Sequence, residues 1–265
     1  KTAVITTEIE STLSGMRTAK AFANEKKEFL TNLIFNISLD DDVSDLIGFR
    51  VRNPHHPDIP ITLKMILSHT SSIMDKEDDY FTLDHINPAV NGDCTDSYYT
   101  YAPGEQYNYS NMAINLAGAI IEKLSGVRFD DYIRENIIWK LGLYGGHNVD
   151  SLDAGKFATI YKNINGEYVA SDGPYKSRSE DMPNYIIGYS APIFSPTGGV
   201  KMSVEDLAKY MMMHINYGQY NGTRIINAYE RYTIEIPEGN YKLRDWKQVI
   251  YKTRLPREET ALVLK

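Results

Sequence analysis

Along the 265 residues the hydrophobic positions change period several times, and the changes mark the elements. From Met112 to Leu124 the run MAINLAGAIIEKL is apolar on nearly every face, which predicts a helix packed on all sides. Ser125-Gly126 closes that helix, because glycine takes the left-handed conformation that a helix C-terminus favours. Phe129, Ile133, Ile137 and Leu141 then recur at four-residue spacing and predict a second, amphipathic helix. Upstream, Pro103-Gly104 marks a turn, and Tyr109-Ser110-Asn111 delivers three hydrogen-bonding side chains to the mouth of the packed helix.

The flanking stretches are read against this unit. Residues 1–32 predict a helix from the spacing of Leu13, Met16, Phe22 and Phe29. Leu39 to Pro60, acidic and then proline-rich, predicts a connection over the surface. Thr62 is a candidate N-cap for a short helix through Leu67, after which His69-Thr70-Ser71-Ser72 turns the chain. Asp75 to Thr100 lacks periodicity and predicts a long acidic and aromatic loop able to line a cleft. Between Tyr144 and Val200 turn residues dominate, with short strands predicted at Ile160–Ile164 and Tyr168–Ala170 around Asn165-Gly166. Ser203 and Asp206 form a capping box for a helix whose predicted apolar stripe is Leu207, Tyr210, Met211 and Ile215, with Gly218 as its stop and the triple Met211-Met212-Met213 as core filler. Strands are predicted at Tyr232–Ile236, Val249–Thr253 and Ala261–Leu264.

Composition narrows the function classes. A hydrophobic content of 42% is ample for a core, and the net charge of -7 without a basic run argues against a nucleic-acid partner. No run approaches the length of a bilayer-spanning helix. Cys94 is the only cysteine, so no internal disulfide forms. His55 and His56 are adjacent, a spacing unsuited to one metal, and neither a metal nor another cofactor is expected. Lys1 is followed by a charged helical pattern rather than an apolar leader, so the compartment and the oligomeric state stay open.

Three segments, ITLKMILSHTSSI, PGEQYNYSNMAINLAGAIIEKLSG and SPTGGVKMSVEDLAKYMMMHINYG, preceded by LDDDVSDLIGF, resemble in content and order the serine beta-lactamase and penicillin-binding-protein-like hydrolases of the class C and esterase-like branch. The resemblance covers about residues 37–226. It implies an α+β fold, a helical region beside an antiparallel sheet, with the sheet incomplete here because much of it comes from the two chain ends. Three domains are expected: a helical segment at 1–34, the hydrolase-like domain at 35–228 and a strand-like tail at 229–265. Residues 8–29 are separately similar to a helix of ABC-exporter transmembrane domains, and a generic amphipathic helix is the other reading of them.

By this resemblance Tyr109 and Asn111 match the family's Tyr-x-Asn motif, the tyrosine helping to move the nucleophile's proton and the asparagine contacting substrate and the motif lysine. Tyr107 and the Gly198-Gly199 turn are expected to bind substrate. The other two motifs are missing. No Lys in the chain has a Ser three residues before it, and only Thr159 and Lys162, in a polar stretch, have a hydroxyl at that spacing besides. Thr18 and Lys20, where the nucleophile motif is expected, fall on different helix faces. The nearest match to the third motif, Lys252-Thr253-Arg254, has Arg where a glycine lets the strand approach substrate. Two readings follow: a beta-lactamase-related serine hydrolase domain with little or no activity, or a non-catalytic module that binds peptidoglycan-like peptides or esters. A third, part of a membrane transporter, lacks a spanning run and a nucleotide-binding loop. His69, Ser71 and Ser110 are the remaining candidates for a base or a hydroxyl, with His69 read as structural.

Overall fold

The computed structural model describes residues 37–76, 81–171 and 173–226, and the helix expected at the start of the chain, the strands expected at its end and the residues Thr18, Lys20 and 252–254 lie outside them. The described residues contain six α-helices, in chain order α1 Val43–Ile47, α2 Leu63–Leu67, α3 Pro88–Asn91, α4 Asn111–Ser125, α5 Phe129–Ile133 and α6 Val204–Ile215. Six short strands pair antiparallel in three ladders: β1 Gly145–Gly146 with β4 Lys201–Met202, β2 Ile160–Ile164 with β3 Glu167–Ser171, and β5 Gln219–Tyr220 with β6 Thr223–Arg224.

Helix α4 is the axle, as its all-round apolar pattern predicts. Met112, Ala113, Leu116, Ala117, Ala119, Ile120 and Ile121 are all buried, and α1, α2, α5 and the 3-10 turn Ala191–Phe194 pack around them. Its ends follow local chemistry. The Ser110 hydroxyl accepts the Ala113 N–H, and Gly126, at φ +70°, donates back to the Glu122 carbonyl. Thr62 caps α2 as expected, accepting from the Met65 N–H. The second helix is shorter than its pattern: α5 ends at Ile133, and Arg134–Ile138 continues as one π-helical turn that keeps Ile137 and Ile138 on the core side.

Three further expectations are revised. The stretch from Leu39 to Pro60 is a built part of the core: Val43, Ile47 and Val51 are buried, and Asn53 at 0% exposure donates to the carbonyls of Tyr99 and Tyr101. Helix α6 turns Met213 inward and leaves Leu207, Met211, Met212 and Ile215 exposed, so neither the predicted stripe nor the full methionine triple faces the core, and Asp206 ties the first turn by accepting from the Ser203 hydroxyl and the Tyr144 N–H. The loop expected at Asp75 to Thr100 contains α3 and two 3-10 turns, Asp84–Ile86 and Thr95–Ser97. The β2–β3 hairpin turns at Asn165-Gly166, both at positive φ with Ile164 opposite Glu167, the geometry such a dipeptide favours.

Candidate functional site

Three elements converge on the mouth of α4. The turn after α2 supplies His69 and Asp75, the segment before α4 supplies Tyr107 and Tyr109, and the turn before β4 supplies Thr197, Gly198 and Gly199. The turn after α2 takes left-handed backbone at two non-glycine residues, His69 at φ +58° and Ser72 at φ +62°. The latter is the position where glycine would be unstrained. Its hydroxyl receives a hydrogen bond from buried Asn53 at 2.9 Å, which ties the turn to the core.

Asp75 is the organiser, and nothing in the sequence pattern marked it. One carboxylate oxygen accepts from the Ser110 hydroxyl at 3.1 Å and the Met112 N–H at 2.8 Å, and the other accepts from the Asn111 N–H at 2.8 Å and the Asn111 side-chain amide at 2.7 Å. A carboxylate on the first amides of α4 suits the positive end of the helix dipole and satisfies donors that have no partner within the helix. The only available signal was an acid placed shortly after the turn and ahead of a long helix.

Tyr109 and Asn111 are brought together as expected. The Tyr109 hydroxyl donates to Asn111 Oδ1 at 3.0 Å, and the Thr197 hydroxyl donates to the same oxygen at 2.8 Å. The two hydroxyl oxygens are 3.4 Å apart. Tyr109 is 47% exposed, so part of its side chain reaches solvent. Behind it the His69 ring lies 4.6 Å away, tilted by 34°, and His69 Nδ1 accepts the Ser110 N–H at 3.2 Å. His69 thus ties the turn after α2 to the start of α4 through Nδ1 and packs its ring against Tyr109. Tyr107 packs edge-on against His69 and is also half exposed.

The glycine pair serves geometry. Both N–H groups point back to the Ser195 carbonyl, Gly199 at 2.7 Å and Gly198 at 3.1 Å. A side chain at Gly199 would collide with that carbonyl at 2.8 Å and with the Phe194 carbonyl at 2.5 Å. Only glycine therefore lets the chain double back and present Thr197, whose N–H is held by buried Asn115. Thr197 was passed over in the sequence although it adjoins the pair. Of the other hydroxyls considered, Ser71 and Ser110 are fully buried, and Ser110 is consumed as the cap of α4. Thr159 precedes β2 and Lys162 lies within it, so the three-residue spacing that serves a helix puts them on opposite faces of an exposed strand. Among the described residues no group of acids, His and Cys is arranged to hold a metal ion, and no helix is long and apolar enough to cross a membrane.

Residues 35–235 match the Beta-lactamase family model. The chain is 26% identical over 204 residues to penicillin-binding protein 4 of Amycolatopsis lactamdurans, covering 72% of this chain and 48% of that protein. It is 26% identical over 196 residues to the protein flp of Staphylococcus aureus, covering 68% and 34%. The chain thus spans less than half the length of these relatives. Among solved structures it is similar to the octameric penicillin-binding protein homologue from Pyrococcus abyssi, with a TM-score of 0.53, 25% identity and coverage of 76% of this chain and 44% of that one. A class C beta-lactamase superimposes with a TM-score of 0.52 at 20% identity, covering 75% and 49%, a likeness of fold.

Proposed function

The chain belongs to the Beta-lactamase family, and from that premise we propose that it carries the substrate-holding half of an acyl-transfer site without an activated nucleophile. It is then a serine-hydrolase-related domain that binds a beta-lactam, a D-Ala peptide or an ester and turns it over little or not at all. The observation that carries this reading is the destination of the protons. Tyr109 and Thr197 both donate to Asn111 Oδ1, an amide oxygen that cannot take a proton away, and the Asn111 amide donates to Asp75 rather than into the cleft. A hydroxyl attacks only when a neighbouring base accepts its proton, and removing the nucleophile from a serine hydrolase costs about a millionfold in turnover.

In this reading Tyr109 and Tyr107 offer half-exposed aromatic side chains and a phenol oxygen with room to accept, while Gly198-Gly199 shapes the cleft wall. The second reading, a module whose role is binding alone, differs only in whether any turnover remains. Intact mass after incubation with a fluorophosphonate, and separately with a beta-lactam, decides between them and the active enzyme. The expected result is no covalent adduct on folded protein, together with reversible binding of an acyl-D-Ala peptide that Tyr109→Phe weakens. A stoichiometric adduct would overturn the proposal, and the modified peptide would name the nucleophile.

A further inference from the structure

A second cleft of about 770 Å³ opens between the β1–β4 ladder and the segments that flank the β2–β3 hairpin. That is within the range of small-molecule sites, roughly 300–1,000 Å³. Gly198 and Gly199 form part of one wall, so the cleft begins beside the Tyr109–Asn111–Thr197 cluster. Its charge is the opposite of the chain's. Lys156, Lys176, Arg178 and Lys201 line it, and no Asp or Glu does among the described residues, although the whole chain carries 35 acids against 28 Lys and Arg.

Three of the four cations are held in place from the side. Lys201 is half-buried, its Nζ donating to the His147 carbonyl at 2.9 Å, and burial together with the charge of Arg178 pushes its pKa below the ordinary lysine value. Lys156 Nζ stands 3.9 Å above the Tyr144 ring, and the Arg178 guanidinium lies 5.9 Å from the Phe81 ring. The nearby acids bind Arg178 from outside: Asp181 pairs with it at 3.6 Å, and Asp150 accepts its backbone N–H at 2.9 Å. Phe157 and Tyr175 stack at 4.6 Å and supply a flat apolar wall. A lysine whose proton affinity is lowered by burial and a neighbouring cation is stabilised by an anion placed between the two.

We propose that this cleft binds an organic anion, a flat apolar body bearing a carboxylate or a phosphate, with Arg178, Lys176 and Lys201 holding the charge and Phe157 and Tyr175 the body. The site does not depend on acyl transfer at Tyr109. The test titrates the full chain with 2-naphthoate, 2-naphthyl phosphate and the neutral 2-naphthamide, followed by calorimetry. At least one anion is expected to bind about tenfold or more tightly than the amide and to weaken as salt is raised. The tighter of the two anions names the source, carboxylate or phosphate, and either supports the proposal. Arg178→Gln and Lys176→Gln, both near the surface, are each expected to weaken binding about fivefold with an unchanged circular dichroism spectrum. Tyr109→Phe is expected to leave it unchanged, which separates failure here from failure of the acyl-site reading. Equal binding of the amide, or anion binding untouched in both folded charge variants, would overturn it.

Discussion

Gly118 sets helix propensity against packing, and the structure decides the winner. It lies midway along α4, where alanine is ordinarily preferred over glycine by about 1 kcal/mol. A methyl group built there would stand 2.3 Å from Pro196 Cγ and 2.7 Å from Pro196 Cβ. Carbon atoms settle at about 3.5–4.0 Å, so the ring must retreat by roughly 1 Å or more. A proline ring cannot swing away from its own backbone, so the retreat carries Thr197 with it. Thr197 then strains its N–H bond to Asn115 and its hydroxyl bond to Asn111. Overpacking costs about 1–3 kcal/mol and each weakened hydrogen bond about 1, against the gain of about 1 from propensity. Gly118→Ala is therefore expected to destabilise by about 2–4 kcal/mol, a fall of roughly 4–16 °C in the melting temperature of a chain this size. Urea unfolding of the full chain followed by circular dichroism measures it. Gly126→Ala is the control, since nothing lies within 4 Å of that added carbon and only the φ of +70° opposes it, at about 1 kcal/mol. A Gly118→Ala protein as stable as the parent, or more so, would refute the packing argument.

Three further outcomes are expected. Ser72→Gly should raise the unfolding free energy measured in urea by about 0.5 kcal/mol, because it relieves left-handed backbone while Asn53 Nδ2 keeps its two carbonyl acceptors; a lowered value would mean that the serine hydroxyl matters more than the strain. Asp75→Ala strands two backbone N–H groups and two side-chain donors at the start of α4 and should cost about 2–4 kcal/mol, read in the same unfolding assay, and a cost below about 1 would show that water replaces the carboxylate. Burial pushes the pKa of His214 down from the ordinary histidine value to about 4. Its folded form resists protonation, so the stability it contributes is full above its unfolded pKa and is lost as pH falls toward the folded value. The unfolding midpoint should thus drop between about pH 7 and pH 4.5 more steeply for the parent than for His214→Gln, and parallel profiles would remove His214 from the account.

The adjacency of Tyr109 and Asn111, the capping of α4 by Ser110 and Gly126, the Thr62 cap and the Asn165-Gly166 hairpin were all legible, because each is a short-range matter of spacing and backbone preference. The all-round apolar run of α4 likewise announced a central helix, and the order of three motif segments announced the family. What the residues could not reveal was which distant groups would meet at the mouth of that helix. Asp75 is 36 residues from Asn111 and Thr197 is 86 residues from it, and neither position stands out in the pattern around it. The face that α6 turns to the core was misread, since the predicted stripe leaves Leu207, Met211 and Ile215 exposed while Met213 packs inward, and that choice depends on what lies against the helix. The cationic cleft was hidden for a related reason. Its lysines and arginine are scattered over residues 156–201 of an acidic chain, and only the folding back of the Gly145–Gly146 ladder onto Lys201–Met202 gathers them. Local hydrogen bonding and periodicity are written in neighbouring residues, whereas charge balance and the fate of a proton depend on what packs alongside, and that is decided by the tertiary structure.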